Sequence, residues 1–222
     1  MATTSVAAPG SNVDLFKVLL VGESGVGKTS ICKRAVHGIF ATNYKATVGV
    51  DFGLKTVAVA PTERNPEGKV KLQLWDIAGQ ERFQDMTRVY YKEAVAAIIV
   101  YDKTKLASYQ AVTAWKEDID KKITLSNGEP IPVFLFGNKC DLPAAEHFPI
   151  TGAEISRFVQ DHKFTQHFDT SAKDNINLDD AMKRIAETIL LKGALKGAEN
   201  PNDGTISLHA KSETADSGGC PC

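Results

Sequence analysis

The stretch "GESGVGKT", residues 22–29, places three glycines, a lysine and a threonine at a spacing suited to binding phosphate. Glycines let the backbone wrap inward, so that several N–H groups point at one phosphate chain. Lys28 supplies a positive charge for the outer phosphates, and Thr29 supplies a hydroxyl for Mg²⁺, which prefers oxygen ligands. This is the P-loop pattern. It predicts a phosphate-binding set of Ser24, Gly25, Val26, Gly27, Lys28, Thr29 and Ser30.

A second polar group, "DIAGQE", follows the apolar run "KLQLW". A carboxylate at the end of a strand, here Asp76, can hold the metal shell of a P-loop site. Gly79 has a backbone N–H that can approach the terminal phosphate, and Gln80 can orient an attacking water. Thr47 can bring a second hydroxyl to Mg²⁺ while the terminal phosphate is present, which predicts an order–disorder switch. The predicted metal ligands are Thr29, Thr47 and Asp76, and the predicted catalytic residues are Gln80, Lys28 and Gly79.

The stretch "NKCD" selects the base. Guanine presents two adjacent N–H donors on one edge, which a carboxylate at Asp141 can accept. Adenine lacks this pair and would leave the carboxylate unpaired, at about 1–3 kcal/mol or more. Asn138 can bind base and protein together, and the stem of Lys139 can cover the base plane. The remaining predicted nucleotide contacts are Ser171, Ala172 and Lys173 of "TSAK", together with Phe40 and Tyr44.

Alternating strand-like and helix-like segments place these motifs. Short apolar runs such as "LFKVLLVG", "VAAIIVY" and "PVFLFG" predict buried strands, and "KTSICKRAVH", "SYQAVTAWKEDIDKKI", "GAEISRFVQDH" and "NLDDAMKRIAETILL" predict helices. "FGLKTVAVA" and "KVKLQLW" predict a hairpin with a long turn. We therefore expect an α/β fold of the P-loop type, with a mostly parallel six-stranded sheet, one antiparallel edge strand, and helices on both faces. Ligands of such sheets bind at the carboxyl ends of the strands, where the motifs lie.

Composition bounds the remaining possibilities. The 222 residues carry a net charge of −1, so no basic excess favours nucleic acid as a partner. No apolar run approaches the roughly 18 residues of a membrane helix. We expect a disordered leader over 1–13, a nucleotide-binding domain over 14–192 and a flexible hypervariable tail over 193–222. Of the four cysteines, Cys32 and Cys140 lie in structured sequence and the other two are terminal, which is not a disulfide framework and suits a reducing cytosol.

The order of "GESGVGKT", "DIAGQE", "NKCD" and "SAK" resembles the Ras superfamily of small GTPases. "VGVDF", "KLQLW", "RFQDMT", "YYKEA" and "IVYDKT" look like the signature stretches of its Rab branch. The resemblance runs from Leu15 to Leu191. It implies GTP and GDP as ligands, Mg²⁺ as cofactor, hydrolysis of GTP to GDP and phosphate, and a switch in vesicle trafficking. A weaker likeness is to Rabs of endolysosomal and lysosome-related organelles, on the cytoplasmic face of the membrane.

The same resemblance implies a set of partners. Phe52, Trp75 and Tyr90 match the exposed aromatic triad through which Rab proteins bind effectors. Further partners would be an exchange factor, a GTPase-activating protein, the Rab escort protein and a GDP-dissociation inhibitor, acting on a monomer. Residues 40–50 contain no arginine, so we expect slow hydrolysis until an activating partner supplies one.

One departure leaves an alternative open. Ile77 stands where most of the family has threonine, beside Asp76. If it impairs hydrolysis, the protein would be a GTP-binding scaffold rather than a switch. A P-loop kinase of small nucleotides is disfavoured, because no arginine-rich lid is apparent.

The sequence ends in "SGGCPC". Gly219 at the fourth position from the end excludes a C-a-a-X motif. Cys-x-Cys resembles the pattern on which Rab proteins carry two geranylgeranyl groups, so Cys220 and Cys222 are the predicted lipidation sites. One lipid chain alone binds membranes marginally, and residues 193–222 hold only two lysines against four acidic residues. Two prenyl groups are therefore expected.

Overall fold

A computed structural model describes residues 13–43, 45–63, 65–79, 87–143 and 151–199. Strands and helices alternate along most of the chain. The strands are β1 (Leu15–Val21), β2 (Val50–Ala58), β3 (Lys69–Ile77), β4 (Ala96–Asp102), β5 (Val133–Asn138) and β6 (Gln166–Asp169). The helices are α1 (Lys28–His37), α2 (Thr87–Tyr91), α3 (Leu106–Gln110), α4 (Val112–Lys122), α5 (Gly152–Asp161) and α6 (Leu178–Glu199).

The six strands form one sheet in the order β2-β3-β1-β4-β5-β6. Among the strands that the structure describes, only the β2–β3 pair is antiparallel, and the other neighbours are parallel. The predicted sheet, with its single antiparallel edge strand, is therefore confirmed. Since parallel strands all end at the same edge, the residues after β1, β3, β4 and β5 meet there.

Both faces of the sheet are covered. Along β1, Val18 and Leu20 belong to a buried cluster with α1 and α6, whereas Leu19 and Val21 belong to a second cluster with α4 and α5. This alternation follows from the two-residue period of a strand. Two apolar layers thus hold the sheet rigid beneath the loops at its carboxyl edge.

Two helices differ from their predicted bounds. The segment predicted as one helix is divided at Ala111 into α3 and α4. Ser108 Oγ donates to the Lys105 carbonyl at 2.7 Å, a side-chain bond typical of turns and helix starts. Helix α6 continues beyond the predicted end at Leu191 to Glu199. The added stretch "GALKGAE" contains alanine, leucine, lysine and glutamate, which favour helix, and two glycines, which do not.

Within the residues that the structure describes, none of the helices combines the length and the apolar character needed to cross a bilayer.

Candidate nucleotide-binding site

The P-loop leads directly into α1. Gly27 is the residue before the helix and has a φ of 103°, a conformation that glycine adopts without strain. A side chain at this position would also meet Asn138 Nδ2 at 2.3 Å. Asn138 Nδ2 in turn donates to the Val26 carbonyl at 2.8 Å. The P-loop is therefore hydrogen-bonded to the base-reading loop, which follows β5 and contains "NKCD", although more than a hundred residues separate the two loops.

Lys28 lies at the start of α1 with its ammonium inside the loop. Its Nζ donates to the carbonyls of Gly22 at 2.8 Å and Glu23 at 2.9 Å. Burial lowers the pKa of Lys28 to about 8, although the charges of Asp76 and Glu23 partly offset the effect. A buried cation is stabilised by anions. The loop thus presents a charge whose environment favours a phosphate group.

Three oxygen-bearing side chains converge beside this lysine. Thr29 Oγ1 lies 2.5 Å from Asp76 Oδ2 and 2.6 Å from Thr47 Oγ1. Thr47 Oγ1 is 3.4 Å from the same carboxylate oxygen. Asp76 Oδ1 is fully buried, and no donor among the described residues reaches it. All three predicted metal ligands are brought together, and a Mg²⁺ ion would satisfy the unpartnered oxygen.

The pKa of Asp76 is raised, chiefly because burial disfavours its charged form. Hydrogen bonds from Thr29 and Thr47 and the charge of Lys28 act in the opposite direction. A divalent cation would reverse the effect of burial by stabilising the carboxylate. The donor set of one carboxylate and two hydroxyls therefore fits a hard cation that completes its shell with phosphate and water.

Gly79 packs tightly on the P-loop. A side chain here would meet the Ser24 nitrogen at 2.5 Å and the Gly22 oxygen at 3.0 Å. Only glycine lets the segment after β3 come this close to the backbone of residues 22–24. The backbone of Gly79 is thus held beside the phosphate-binding loop, as its predicted contact with the terminal phosphate requires.

The base-reading loop follows β5. Lys139 has a φ of 64°, an uncommon conformation for a residue with a side chain. Its Nζ donates to the Gly25 carbonyl at 3.0 Å and forms an ion pair of 2.7 Å with Asp102 Oδ2. Burial alone would raise the pKa of Asp102, but the bonds from Lys139 and Thr104 outweigh it and lower the pKa. The stem of Lys139 is therefore fixed across the pocket from one loop to the other.

Asp141 is held by the loop that follows β6. Ser171 Oγ donates to Asp141 Oδ1 at 2.6 Å. The Ala172 N–H points at Asn138 Oδ1, 3.3 Å away. Ala172 is one of the predicted nucleotide contacts, and its N–H faces the loop after β5. Hydrogen bonds therefore join the loop after β5, which contains Asp141, to the loop after β6, which contains Ala172.

The other predicted contacts divide into two groups. The first group lies in described parts of the chain. The P-loop contains Ser24 and Gly25, and the first turn of α1 contains Ser30. Phe40 lies in the loop after α1 and is 36% exposed, and Lys173 follows Ala172. Their contacts with a nucleotide stay predictions. Four predicted residues lie outside the described part of the chain: Tyr44, Gln80, Cys220 and Cys222.

Two residues of the aromatic triad, Phe52 and Trp75, contact each other. Phe52 is 63% exposed, and its ring stacks on Trp75 with centroids 6.0 Å apart. Lys17, on the neighbouring strand β1, places its Nζ 3.5 Å from the centroid of the Trp75 ring. Trp75 and Tyr90 both pack against the buried cluster beneath α2 and α4. The structure therefore groups Phe52 with Trp75 and places Tyr90 at the edge of the same apolar layer.

Sequence reasoning missed three supporting residues. Asp102 fixes Lys139, Trp115 donates from Nε1 to Glu23 Oε1 at 3.1 Å, and Arg34 binds the loop around Ala172. Only Asp102 carried a signal, as a carboxylate ending a buried strand. The other two act through partners that no spacing in the sequence indicates.

Comparison with known proteins agrees with this geometry. A family model described as "Ras family" matches residues 17–191. The Ras-related protein Rab-32 of Sus scrofa is 49% identical over 201 residues, covering 90% of this chain and 85% of that protein. The Ras-related protein Rab-32A of Dictyostelium discoideum is 48% identical, covering 89% and 87% respectively. The human Ras-related protein Rab-7L1 is 45% identical, covering 82% and 85%. The chain therefore belongs to the Ras family and, within it, to the Rab branch of small GTPases.

Proposed function

We propose that this GTPase is a membrane-attached switch that hydrolyses GTP slowly by itself and recruits effectors while GTP is bound. The observation that carries the proposal is the convergence of two sites at one edge of the sheet. Lys28, Thr29 and Asp76 form the phosphate and metal end, and Asn138 and Asp141 form the base end. One guanine nucleotide can span both ends, because Asn138 and Lys139 are bonded directly to the P-loop.

Mg²⁺ is the cofactor that the donor set fits, with Thr29, Thr47 and Asp76 as its protein ligands. When bound, it neutralises the charge that develops on the phosphates. Lys28 binds the outer phosphate oxygens, and the N–H of Gly79 donates to the terminal phosphate. Gln80 orients the water, and we expect an activating protein to supply the missing arginine.

The contact between Thr29 and Thr47 supports the switching mechanism. It ties the segment before β2 to the metal end of the site over 2.6 Å. Thr47 belongs to the segment that leads into Phe52 of the aromatic triad. Loss of the terminal phosphate would release Thr47 and change the surface that effectors contact. Phe52, Trp75 and Tyr90 are the proposed effector residues.

The alternative of a scaffold without hydrolysis rested on Ile77. The side chain of Ile77 is fully buried in the cluster with Leu19 and Val21, whereas that of Asp76 contacts Thr29. Neighbouring residues of a strand point to opposite faces. The side chain of Ile77 therefore points into this apolar cluster rather than toward Thr29 and Asp76, which favours the switch.

Attachment to membranes is proposed through geranylgeranyl groups on Cys220 and Cys222. The exchange factor, activating protein, escort protein and GDP-dissociation inhibitor that act on Rab proteins would then move this monomer between cytosol and membrane. The likeness to Rab-32 and Rab-7L1 supports the cytoplasmic face of an endolysosomal or lysosome-related organelle as its location. Flotation of the cell-expressed protein with membranes tests the proposed attachment through the two cysteines. Cys220→Ser with Cys222→Ser should abolish flotation, and Cys140→Ser should not; a double variant that still floats would disprove the assignment.

Single-turnover hydrolysis tests the catalytic part. Gln80→Leu should slow phosphate release from preloaded GTP at least about tenfold, since the water loses its orienting group. Gln160→Leu, at an exposed position on α5, is the matched control and should not change the rate. An activating protein should accelerate the unmodified GTPase by about 10³–10⁵. Equal rates for the Gln80 variant and the unmodified protein would contradict the proposed role of Gln80.

A further inference from the structure

Arg34 lies in the last turns of α1 and binds three backbone carbonyls. Its Nε donates to Ala172 at 2.8 Å, and one terminal nitrogen donates to Lys173 at 2.7 Å. The other terminal nitrogen donates to Gly38 at 2.6 Å. One side chain therefore joins α1 to the loop after β6 and to the residue that ends α1.

The loop held by Arg34 carries the groups that read the base. Ser171 Oγ binds the carboxylate of Asp141, and the Ala172 N–H faces Asn138. The carbonyls of Ala172 and Lys173 point the other way, toward α1. The same short loop thus presents its donors to the base pocket and its acceptors to Arg34.

The helix that carries Arg34 also carries the phosphate-binding residues. Lys28 and Thr29 form the first turn of α1, six and five residues before Arg34. A packed helix is rigid, so the guanidinium of Arg34 fixes the distance between the phosphate-binding residues of α1 and residues 171–173. Its third bond, to the carbonyl of Gly38, anchors the chain that continues to Phe40, one of the predicted nucleotide contacts.

We propose that Arg34 is a positioning residue that sets the lifetime and the base selectivity of the bound guanine nucleotide. It does so without touching the nucleotide, by holding residues 171–173 against α1. The proposal rests on the proposed function, since it concerns the same guanine pocket. Without the guanidinium, the loop would move away from Asp141 more often, and the base would be released faster.

The chemistry favours arginine over lysine in this role. Three carbonyls lie around one planar group, and the fork of a guanidinium offers donors in several fixed directions. A lysine would keep the charge but could satisfy these carbonyls only in part. Arg34→Lys should therefore be intermediate between the unmodified protein and Arg34→Met, which keeps most of the aliphatic packing and removes every donor.

The test measures dissociation of fluorescently labelled GDP and IDP from the full chain with Mg²⁺ present. IDP lacks the exocyclic amino group of guanine, which would donate a hydrogen bond to Asp141. The unmodified protein should therefore release IDP faster than GDP. Arg34→Met should accelerate GDP release by about 10–100-fold, because it removes hydrogen bonds from a charged donor. It should also bring the GDP and IDP rates closer together, which a general loss of stability would not do. Arg34→Lys should restore part of both effects.

Arg184→Met is the matched control. Arg184 on α6 binds Gln166 at 3.3 Å and Glu187 at 3.7 Å, both through side chains away from the base loop. Its removal should leave both dissociation rates within about twofold, as for a surface contact. A GDP dissociation rate of Arg34→Met within twofold of the unmodified protein, or an unchanged ratio of IDP to GDP rates, would overturn the proposal. Failure of the unmodified protein to retain GDP would instead contradict the proposed function.

Discussion

The base end and the phosphate end of the site are held together in different ways. At the base end the functional side chains already have partners within the protein: Asn138 binds Val26, Lys139 binds Gly25 and Asp102, and Asp141 binds Ser171. At the phosphate end Lys28 and Asp76 also have partners, but burial lowers the pKa of Lys28 and raises that of Asp76. In addition, no donor among the described residues reaches Asp76 Oδ1.

This difference indicates a division of roles. A pocket whose groups are fixed beforehand loses little freedom on binding, which favours affinity and selectivity. Groups that are destabilised without their ligand respond strongly when it arrives or leaves, which suits a switch. We expect changes at the base end to alter which nucleotide binds, and changes at the phosphate end to alter what the bound nucleotide does.

The largest expected effect is at the base end. Asp141→Asn replaces an acceptor with an amide whose N–H₂ group would face the two donors of guanine. GTP affinity should fall by about 10²-fold or more, because donors would be left unpaired and desolvated. ATP affinity should change little, so discrimination should collapse.

Calorimetry with both nucleotides provides the measurement. Asp174→Asn removes a nearby exposed carboxylate and is the control for net charge. If Asp141→Asn keeps its preference for GTP over ATP, the base is selected by other groups.

A smaller effect is expected from Ile77→Thr, beside the metal carboxylate. The substitution buries a hydroxyl in an apolar cluster and should lower the free energy of unfolding by about 1–3 kcal/mol. Hydrolysis of bound GTP should stay within about twofold, since the side chain points away from the site. Denaturant unfolding and single-turnover kinetics measure the two quantities. A rate increase of tenfold or more would revive the scaffold alternative, in which Ile77 suppresses hydrolysis.

The smallest effect is a proton taken up at the phosphate end. The pKa of Lys28 in the folded chain is about 8, against 10.5 for an unburied lysine. The unfolded chain therefore binds more protons between these values, and the contribution of Lys28 to stability rises as pH increases from 8 to 10.5. Phosphate next to the ammonium would raise its pKa again, so nucleotide binding near pH 8.5 should take up roughly half a proton or more. Calorimetry in two buffers of different ionisation enthalpy detects this. Uptake of no proton would show that Lys28 is already fully charged in the empty site.

The sequence predicts what depends on local patterns. Helix α1 begins at Lys28 because Gly27 allows its start, and the carboxyl ends of the parallel strands bring Asp76 and Asn138 to one edge. It does not predict the extension of α6 to Glu199, because the apolar spacing of the helix fails after Lys192.

Long-range supports of the site are also absent from the sequence signal. Arg34 contacts the carbonyls of Ala172 and Lys173, at sequence separations of 138 and 139. Trp115 contacts Glu23 at a separation of 92. Every residue has a carbonyl, so residue type carries no information about the partners of Arg34, and no spacing in the sequence pairs Trp115 with the carboxylate of Glu23. The roles of Tyr44, Gln80, Cys220 and Cys222 stay predictions, since they lie outside the described residues.

Hydrogen exchange of the GDP-loaded and GTP-analogue-loaded protein, with Mg²⁺ in both, tests the contrast between the two ends most directly. Peptides covering residues 138–141 and 171–173 should be protected equally in both forms, because the base end does not depend on the terminal phosphate. Peptides covering residues 45–49, which include Thr47, should be protected only with the GTP analogue. Equal exchange of residues 45–49 in the two forms, or a nucleotide-dependent change confined to the base loops, would contradict the account.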